Sequence, residues 1–263
     1  MPHLALTRLP GSDLELGERT FIERQGIDLA RAQDQHAAYR EALQQIGFDV
    51  VVLDPLAGHP DAVFVEDPLL LLDGVAILTR PAADSRRAEV AASEAMLSSQ
   101  PQLMDLPVER IEGSARLEGG DVLEVDGVLL VGQSTRTNHA GLKQLAHLCL
   151  PYGYRIKAAT VEGCLHLKTG CTYLGRDTLV ANPDWVDLHR TAGLKIVSVD
   201  AREPFGANVV ALDGRLLISA THARTAERLR ARDFEVVTVD LSEFEKAEAG
   251  PTCLSVRTQI VAG

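Results

Sequence analysis

The feature that most constrains the fold is a repeated pattern of strand, tight turn, strand and helix. Asp-Gly between two apolar runs is a strong signal for a β-hairpin. It occurs three times, at Asp73-Gly74, Asp126-Gly127 and Asp213-Gly214. A degenerate fourth copy spans Cys171 to Ala181, where we expect Gly175 and Arg176 in the turn. A helix-like run follows each Asp-Gly hairpin, with Ser85 and Asn138 as candidate N-caps for the first two.

The two ends of the chain supply the elements of a fifth module. A strand near Leu4–Thr7, a helix near Ala30–Ile46 and a strand at Asp49–Leu53 come first, and a lone strand near Leu254–Ile260 comes last. Pairing between the first and last strands would close a ring and remove exposed sheet edges. Repeats of this length are typical of solenoids, propellers and tandem arrays. We therefore predict one domain over residues 1–263, an α/β propeller of five modules with pseudo-fivefold symmetry.

The alternative fold is an open, doubly wound α/β sheet. Such sheets often carry a glycine-rich phosphate loop, but Gly119-Gly120 is followed by Asp121 and lacks the spacing of a dinucleotide fingerprint. No motif in the sequence therefore favours the open sheet.

Charge restricts the ligands that this chain can bind. It has 37 acidic and 26 basic residues and a net charge of -11, which repels nucleic acids and anionic membranes. A cationic or zwitterionic small molecule fits better. The sequence contains no apolar run of ~18 residues and no signal-peptide pattern, so we predict a cytoplasmic protein. None of the four cysteines forms a C-x-x-C pair, which indicates free thiols and no zinc knuckle.

Polar residues flank two of the hairpins at the end opposite the turn. Glu66 and Asp67 precede one hairpin and Arg86 follows it, while Glu118 and Arg136 flank the next. In a ring, these ends converge on one mouth. Paired carboxylates bind a guanidinium and arginines bind a carboxylate, so an amino acid with a guanidinium side chain satisfies both. Taken singly, each residue has an alternative interpretation as a surface ion pair.

One cysteine and one histidine lie where catalysis could use them. Cys253 lies in a turn of small residues that leads into an apolar strand. Cys149 and Cys171 lie in apolar segments and are interpreted as core thiols, and Cys164 is ambiguous. His166 alternates with leucines, so its ring points to the face of the strand opposite the leucine side chains. A buried core histidine is the alternative interpretation.

Six linked stretches resemble the dimethylarginine dimethylaminohydrolase family in order and spacing. They are Phe64-Val-Glu-Asp-Pro68, Thr79-Arg-Pro81 with Ser85-Arg-Arg87, Leu117-Glu-Gly-Gly-Asp121, Ser134-Thr-Arg-Thr-Asn138, His166-Leu-Lys-Thr-Gly170 and Thr252-Cys-Leu-Ser255. The resemblance implies a propeller of five ββαβ modules. It also implies hydrolysis of asymmetric dimethylarginine or monomethylarginine to citrulline and a methylamine, through a covalent thiouronium on cysteine.

The resemblance further implies a role for each candidate residue. It assigns Cys253 as nucleophile, His166 as general acid and base, and Glu118 as a carboxylate that partners either that histidine or the substrate. The substrate ligands are Asp67 and Glu66 for the guanidinium, Asp61 and the Ala247 carbonyl for the α-amino group, and Arg86 and Arg136 for the α-carboxylate, with Phe64 as a pocket wall and Leu16 as the lid residue. No metal or cofactor is implied. The only expected partner is the small-molecule substrate, and the sequence does not distinguish a monomer from a homodimer.

Two other functions use the same fold. Arginine deiminases and amidinotransferases share the cysteine and histidine, but deiminases usually carry Asp where this chain has Lys168, and they are generally longer. A ribosome anti-association factor shares the propeller without a reactive Cys–His pair. The presence of Cys253 and His166, together with the acidic charge, disfavours that second alternative.

Overall fold

The protein is built from five three-stranded sheets, as seen in a computed structural model that describes residues 3–187 and 193–260. One sheet joins the two ends of the chain: β1 (His3–Arg8), β2 (Phe48–Leu53) and β15 (Val256–Gln259). The other four follow in chain order: β3 (Leu69–Leu72), β4 (Val75–Leu78) and β5 (Val108–Arg110); β6 (Val122–Val125), β7 (Val128–Gln133) and β8 (Arg155–Thr160); β9 (Cys171–Gly175), β10 (Thr178–Ala181) and β11 (Lys195–Ser198); β12 (Val210–Leu212), β13 (Arg215–Ser219) and β14 (Glu235–Val239).

Four sheets consist of an antiparallel hairpin whose second strand pairs in parallel with a third. The fifth has the same strand directions, with β15 and β1 in place of the hairpin. A parallel pair needs a crossover connection, and a helix commonly supplies it. Four crossovers contain a described helix: α1 (Leu29–Ile46), α2 (Glu89–Ser99), α3 (His139–Cys149) and α5 (Ala223–Arg230). Two one-turn helices, α4 (Leu167–Gly170) and α6 (Ser242–Glu245), lie outside these crossovers. The predicted propeller of five ββαβ modules is confirmed.

The chain ends close the ring as predicted. Strand β1 pairs in parallel with β2 on one side and antiparallel with β15 on the other, with Leu6 opposite Val256. Strand β15 also lies beside β3 of the next blade. The last described strand therefore completes the blade that the first strand begins. None of the helices in residues 3–187 and 193–260 is long and apolar enough to cross a membrane.

Two local predictions are wrong by a few residues. The turn between β9 and β10 is Arg176-Asp177, both with positive φ, and Gly175 ends the strand before it. Ser85 does not cap α2, which begins at Glu89, because residues 84–86 wind into a separate 3₁₀ turn. Asn138 does cap α3, since its side-chain oxygen accepts a hydrogen bond from the Gly141 N–H at 2.9 Å.

Helix α1 supports the segment that precedes β15. The hydroxyl of the fully buried Tyr39 donates to the Pro251 carbonyl at 2.7 Å and lies 2.7 Å from the Ser255 hydroxyl. These two contacts hold the turn that carries Cys253 from the side of the core. The ring of His36 packs between Tyr39 and Phe244. Neither of its ring nitrogens has a hydrogen-bond partner among the described residues.

Burial of His36 predicts acid sensitivity. Burial, with a smaller effect of Arg40, lowers its pKa from 6.5 to about 4. The unfolded chain therefore binds a proton that the folded protein excludes, and stability falls as pH drops from 6.5 towards 4. This loss is on the order of 3 kcal/mol. We expect His36→Met to flatten that decline in urea unfolding curves measured across this pH range.

The matched control is His147→Met, which changes an exposed histidine on α3. It should leave the decline as steep as in the wild type. An H36M protein that loses stability as steeply as the wild type would contradict the assignment.

Candidate active site

One small pocket collects residues from the segments that flank β3–β4 and β6–β7, and from those after β1, before β9 and before β15. Its walls are Glu18, Asp61, Phe64, Asp67, Arg86, Glu118, Arg136, Leu165, His166, Ala247, Glu248, Ala249 and Cys253. Nine of the residues predicted from the sequence are in this set. The pocket lies at the hairpin ends opposite the turns, where polar residues that flank the strands converge.

Two glycines allow the segment that carries Glu118 to pack closely against the segments that carry Glu66 and His166. Glu118 is extended and leads into a 3₁₀ turn at Gly119–Asp121. A Cβ added to Gly119 would lie 2.0 Å from the Glu66 carbonyl oxygen, and one added to Gly120 would lie 2.7 Å from His166 Nδ1. A larger residue at either position would push the two blades apart.

His166 is held in its charged form by carboxylates. Its Nε2 lies 2.7 Å from Glu118 Oε2 and 3.9 Å from Asp67 Oδ1. Burial disfavours the imidazolium, but Asp67, the hydrogen bond to Glu118 and the charge of Asp121 outweigh it and raise the pKa of His166 to about 9. The ring is therefore protonated at neutral pH and able to act as an acid.

Asp67 offers one oxygen to a ligand. Its Oδ2 accepts a hydrogen bond from Arg86 Nη1 at 2.6 Å. Its Oδ1 is buried and has no hydrogen-bond partner in the described part of the chain. Burial favours the neutral acid, but His166 and Arg86 hold the pKa of Asp67 below its usual value. A negative oxygen in this position favours a cation in the pocket.

The two arginines have different environments. Arg86 is fully engaged with the protein, because it donates to Asp67, to both oxygens of Glu89 and to backbone carbonyls at positions 61 and 64. Arg136 lies near the mouth, with Nη2 donating to Thr20 Oγ1 at 2.8 Å and Nη1 at 4.0 Å from Glu118. Arg136 is therefore the freer of the two for an anionic group on a ligand.

An N-terminal loop covers the pocket. The N–H groups of Thr20 and Phe21 each donate to the Glu248 carboxylate at 2.5 Å, and the Glu18 N–H donates to Asp61 Oδ2 at 3.0 Å. Burial raises the pKa of Asp61, although Arg86 opposes this. The cavity that remains beneath this loop is small, ≈ 30 Å³.

Leu16, predicted as the lid residue, does not face the pocket. Its side chain is 73% exposed, and Leu14 at the start of the same 3₁₀ turn is buried instead. Residues two apart in such a turn point in different directions, and the core selects Leu14. Instead, Glu18 of the loop lines the pocket, and Glu248 accepts hydrogen bonds from the loop. Glu248 is not among the residues predicted from the sequence, although it is an acidic residue among small ones just after Ala247.

Cys253 lies in a 3₁₀ turn at Pro251–Leu254 and is 9% exposed. It packs in the same apolar cluster as Phe64. Burial and the nearby charges of Glu66 and Asp67 raise the pKa of its thiol to about 12. In the free protein at neutral pH this thiol is therefore protonated.

Glu66 does not line the pocket with Asp67. Neighbouring residues in an extended segment point to opposite sides, and Glu66 faces the centre of the propeller. Its Oε1 accepts hydrogen bonds from Lys168 Nζ at 2.6 Å and Arg257 Nη2 at 3.0 Å, and its Oε2 accepts one from Thr252 Oγ1 at 2.9 Å. The structure corrects the expectation of a direct guanidinium contact, because Glu66 is bound to cations of the protein.

Asp67, Glu118 and His166 also place ligand atoms within 4.8 Å of one another, close enough for one metal ion. Such an ion would displace the proton of the His166 imidazolium and its hydrogen bond to Glu118. Both interactions stabilise the trio without a metal.

The comparisons with known proteins agree with this arrangement. A family model for N,N dimethylarginine dimethylhydrolase, eukaryotic, matches residues 18–256. An N(G),N(G)-dimethylarginine dimethylaminohydrolase from Streptomyces coelicolor is 39% identical over 96% of both chains. The Pseudomonas aeruginosa enzyme of the same name is 35% identical over 88% of this chain and 89% of its own length. A solved structure of a Cys-to-Ser variant of the P. aeruginosa protein with citrulline matches with a TM-score of 0.92 and 33% identity, covering 98% of this chain and 100% of that one. The chain belongs to the dimethylarginine dimethylaminohydrolase family.

Proposed function

We propose that this protein hydrolyses asymmetric dimethylarginine or monomethylarginine to citrulline and a methylamine. The observation that carries the proposal is one pocket holding Cys253, the His166–Glu118 pair and the unpartnered oxygen of Asp67. A nucleophile, an acid and a cation ligand are the groups that this reaction requires. The membership of the family and the citrulline bound by a related structure support the same substrate class.

The first half of the reaction forms a covalent intermediate. The Cys253 thiolate attacks the guanidinium carbon, and the carbon–nitrogen bond to the methylated nitrogen breaks as His166 gives that nitrogen a proton. Methylamine or dimethylamine leaves, and a thiouronium remains on sulfur. The raised pKa of His166 keeps the required proton on the ring at neutral pH. Asp67 Oδ1 stabilises the cation, and Arg136 and Asp61 bind the amino-acid end.

The second half releases citrulline. His166, now neutral, removes a proton from water, the oxygen adds to the thiouronium carbon, and the carbon–sulfur bond breaks. Lys168 contacts Glu66 and does not line the pocket. The second side of the guanidinium therefore meets no carboxylate at position 168, which favours a methylated substrate over arginine. We propose a single folding domain for residues 1–263, and cytoplasmic residence stays a prediction.

The substrate assignment predicts a defined pattern of turnover. Citrulline release should be fast from asymmetric dimethylarginine and monomethylarginine and slow from arginine. Cys253→Ser should reduce it by more than about 10³-fold, because the thiolate forms the covalent bond. Cys149→Ser, a buried cysteine on α3 outside the pocket, is the matched control and should retain activity. Turnover of arginine alone would contradict the proposal and identify the protein as an arginine deiminase.

The high pKa of the thiol predicts that a bound cation promotes its ionisation. The ultraviolet absorbance of the thiolate, taken as the difference between wild type and Cys253→Ser, gives the titration curve. Saturating L-lysine, a cation with no electrophilic carbon, should shift the curve downwards from about 12. L-norleucine, with the same backbone and an uncharged side chain, should not. Equal curves with the two amino acids would rule out ionisation by the substrate cation.

The contact of Glu118 with His166 predicts a shift in the basic limb of the pH profile of kcat. That limb follows loss of the His166 proton, and Glu118→Gln removes a charge that raises this pKa. We expect the limb to move from about 9 to lower pH by about one unit, and kcat to fall by about tenfold or more. Glu124→Gln, on the exposed face of β6, serves as the control. An unmoved limb in E118Q would show that Glu118 does not act through His166.

A further inference from the structure

The surroundings of the Cys253 sulfur are unbalanced in charge. The negative charges of Glu66 and Asp67 lie near the sulfur and oppose ionisation of the thiol. Hydrogen bonds from the Gly250 backbone and the Thr252 side chain lower the thiol pKa only in part. The proposed reaction requires a thiolate, so it calls for a further donor to the sulfur. The residue that supplies one is Asn208, on the segment just before β12, which none of the family motifs includes.

Asn208 is 4% exposed, and its amide is oriented by the protein. Its Oδ1 accepts a hydrogen bond from the Thr252 N–H at 2.8 Å. This contact fixes which end of the amide is the oxygen and which is the nitrogen, because the oxygen must point at the N–H. The Nδ2 group must then point at Thr252 Oγ1, 3.1 Å away, and at Cys253 Sγ, 3.9 Å away. Two N–H protons of one amide thus face two acceptors.

The hydroxyl of Thr252, whose side chain also lowers the thiol pKa, is shared with a carboxylate in this arrangement. It has a single proton, and Thr252 Oγ1 donates that proton to Glu66 Oε2 at 2.9 Å. Its oxygen accepts from Asn208 at the same time. The second Nδ2 proton of Asn208 is directed at the sulfur and can follow it as it gains charge. A sulfur becomes a much stronger acceptor when its thiol ionises, and catalytic hydrogen bonds shorten at that stage.

The chain makes room for this contact at Gly250. A Cβ added there would lie 2.5 Å from Asn208 Cγ, so any larger residue would displace the amide. The φ of Gly250 is −126°, which every residue type adopts. The glycine is therefore needed for space and not for backbone conformation.

We propose that Asn208 is a positioning residue that stabilises the thiolate of Cys253 through its side-chain amide and orients the sulfur for attack. This proposal rests on the proposed role of Cys253 as nucleophile. Asn208 is not among the residues that line the pocket, so we expect it to make no contact with the substrate. Its loss should therefore reduce kcat and leave KM close to the wild-type value.

The test is the alkylation rate of Cys253 by neutral iodoacetamide at one fixed pH well below the thiol pKa, read by mass spectrometry of the Cys253 peptide. Asn208→Asp keeps the acceptor for the Thr252 N–H and removes the donor to sulfur. We expect its thiol pKa to rise by about one unit, which slows alkylation about tenfold, and kcat to fall by a similar factor. Gly250→Ala should change both quantities in the same direction.

Two controls separate the donor from other effects. Asn182→Asp changes a buried asparagine whose Nδ2 donates to the Pro204 carbonyl, and should leave Cys253 alkylation unchanged. Asn208→Ala removes the donor without adding charge and should also slow alkylation. Wild-type alkylation rates in N208A, with slower rates in N208D alone, would assign the effect to the new charge and overturn the proposal.

Alkylation does not depend on turnover. A wild-type protein that releases no citrulline would remove the proposed function, while the comparison of alkylation rates would still decide the role of Asn208.

Discussion

Several carboxylates are buried around Cys253, and each ion taken out of water costs several kcal/mol unless a partner compensates it. The protein supplies most of the partners itself. The pairs are Asp61 with the Glu18 N–H, Glu66 with Lys168 and Arg257, Asp67 with Arg86, and Glu118 with His166. The remaining acceptor, Asp67 Oδ1, faces the pocket. A guanidinium completes this set of charges, and the preference for a cation therefore comes from the same balance that allows the fold to bury these groups.

The same negative charge has opposite consequences for the two reacting groups. It helps His166 to keep its proton, which the leaving amine needs, and it opposes ionisation of Cys253. A thiolate–imidazolium pair is therefore not the resting state at neutral pH. In the proposed mechanism, the sulfur becomes reactive when positive charge arrives with the substrate. This favours reaction with cations that fill the pocket and makes the thiol slow to react with neutral electrophiles.

Much of the fold could be predicted from the sequence because it follows from local rules. Asp-Gly turns fix the hairpins, and the unpaired first and last strands indicate ring closure. Most pocket residues lie beside these strands, where chain direction places them. The wrong predictions concern positions that the repeating sequence pattern does not determine. Glu66 and Asp67 differ only in which face of an extended segment they occupy, and Leu16 lies in a 3₁₀ turn whose orientation depends on the core. The contacts of Glu248 and Asn208 join distant irregular segments, so spacing along the chain does not indicate them.

The pairing of β15 with β1 affects the order in which the protein matures. Cys253 lies shortly before β15, and that strand pairs with β1, which is synthesised long before it. During translation, this edge of β1 stays unpaired until β15 emerges from the ribosome, and such an edge invites pairing with other chains. The carboxylates of the pocket can gather earlier, since Asp67 and Glu118 belong to inner blades. The nucleophile joins them only with the closing strand, so a nascent chain carries the cation site before it carries the chemistry.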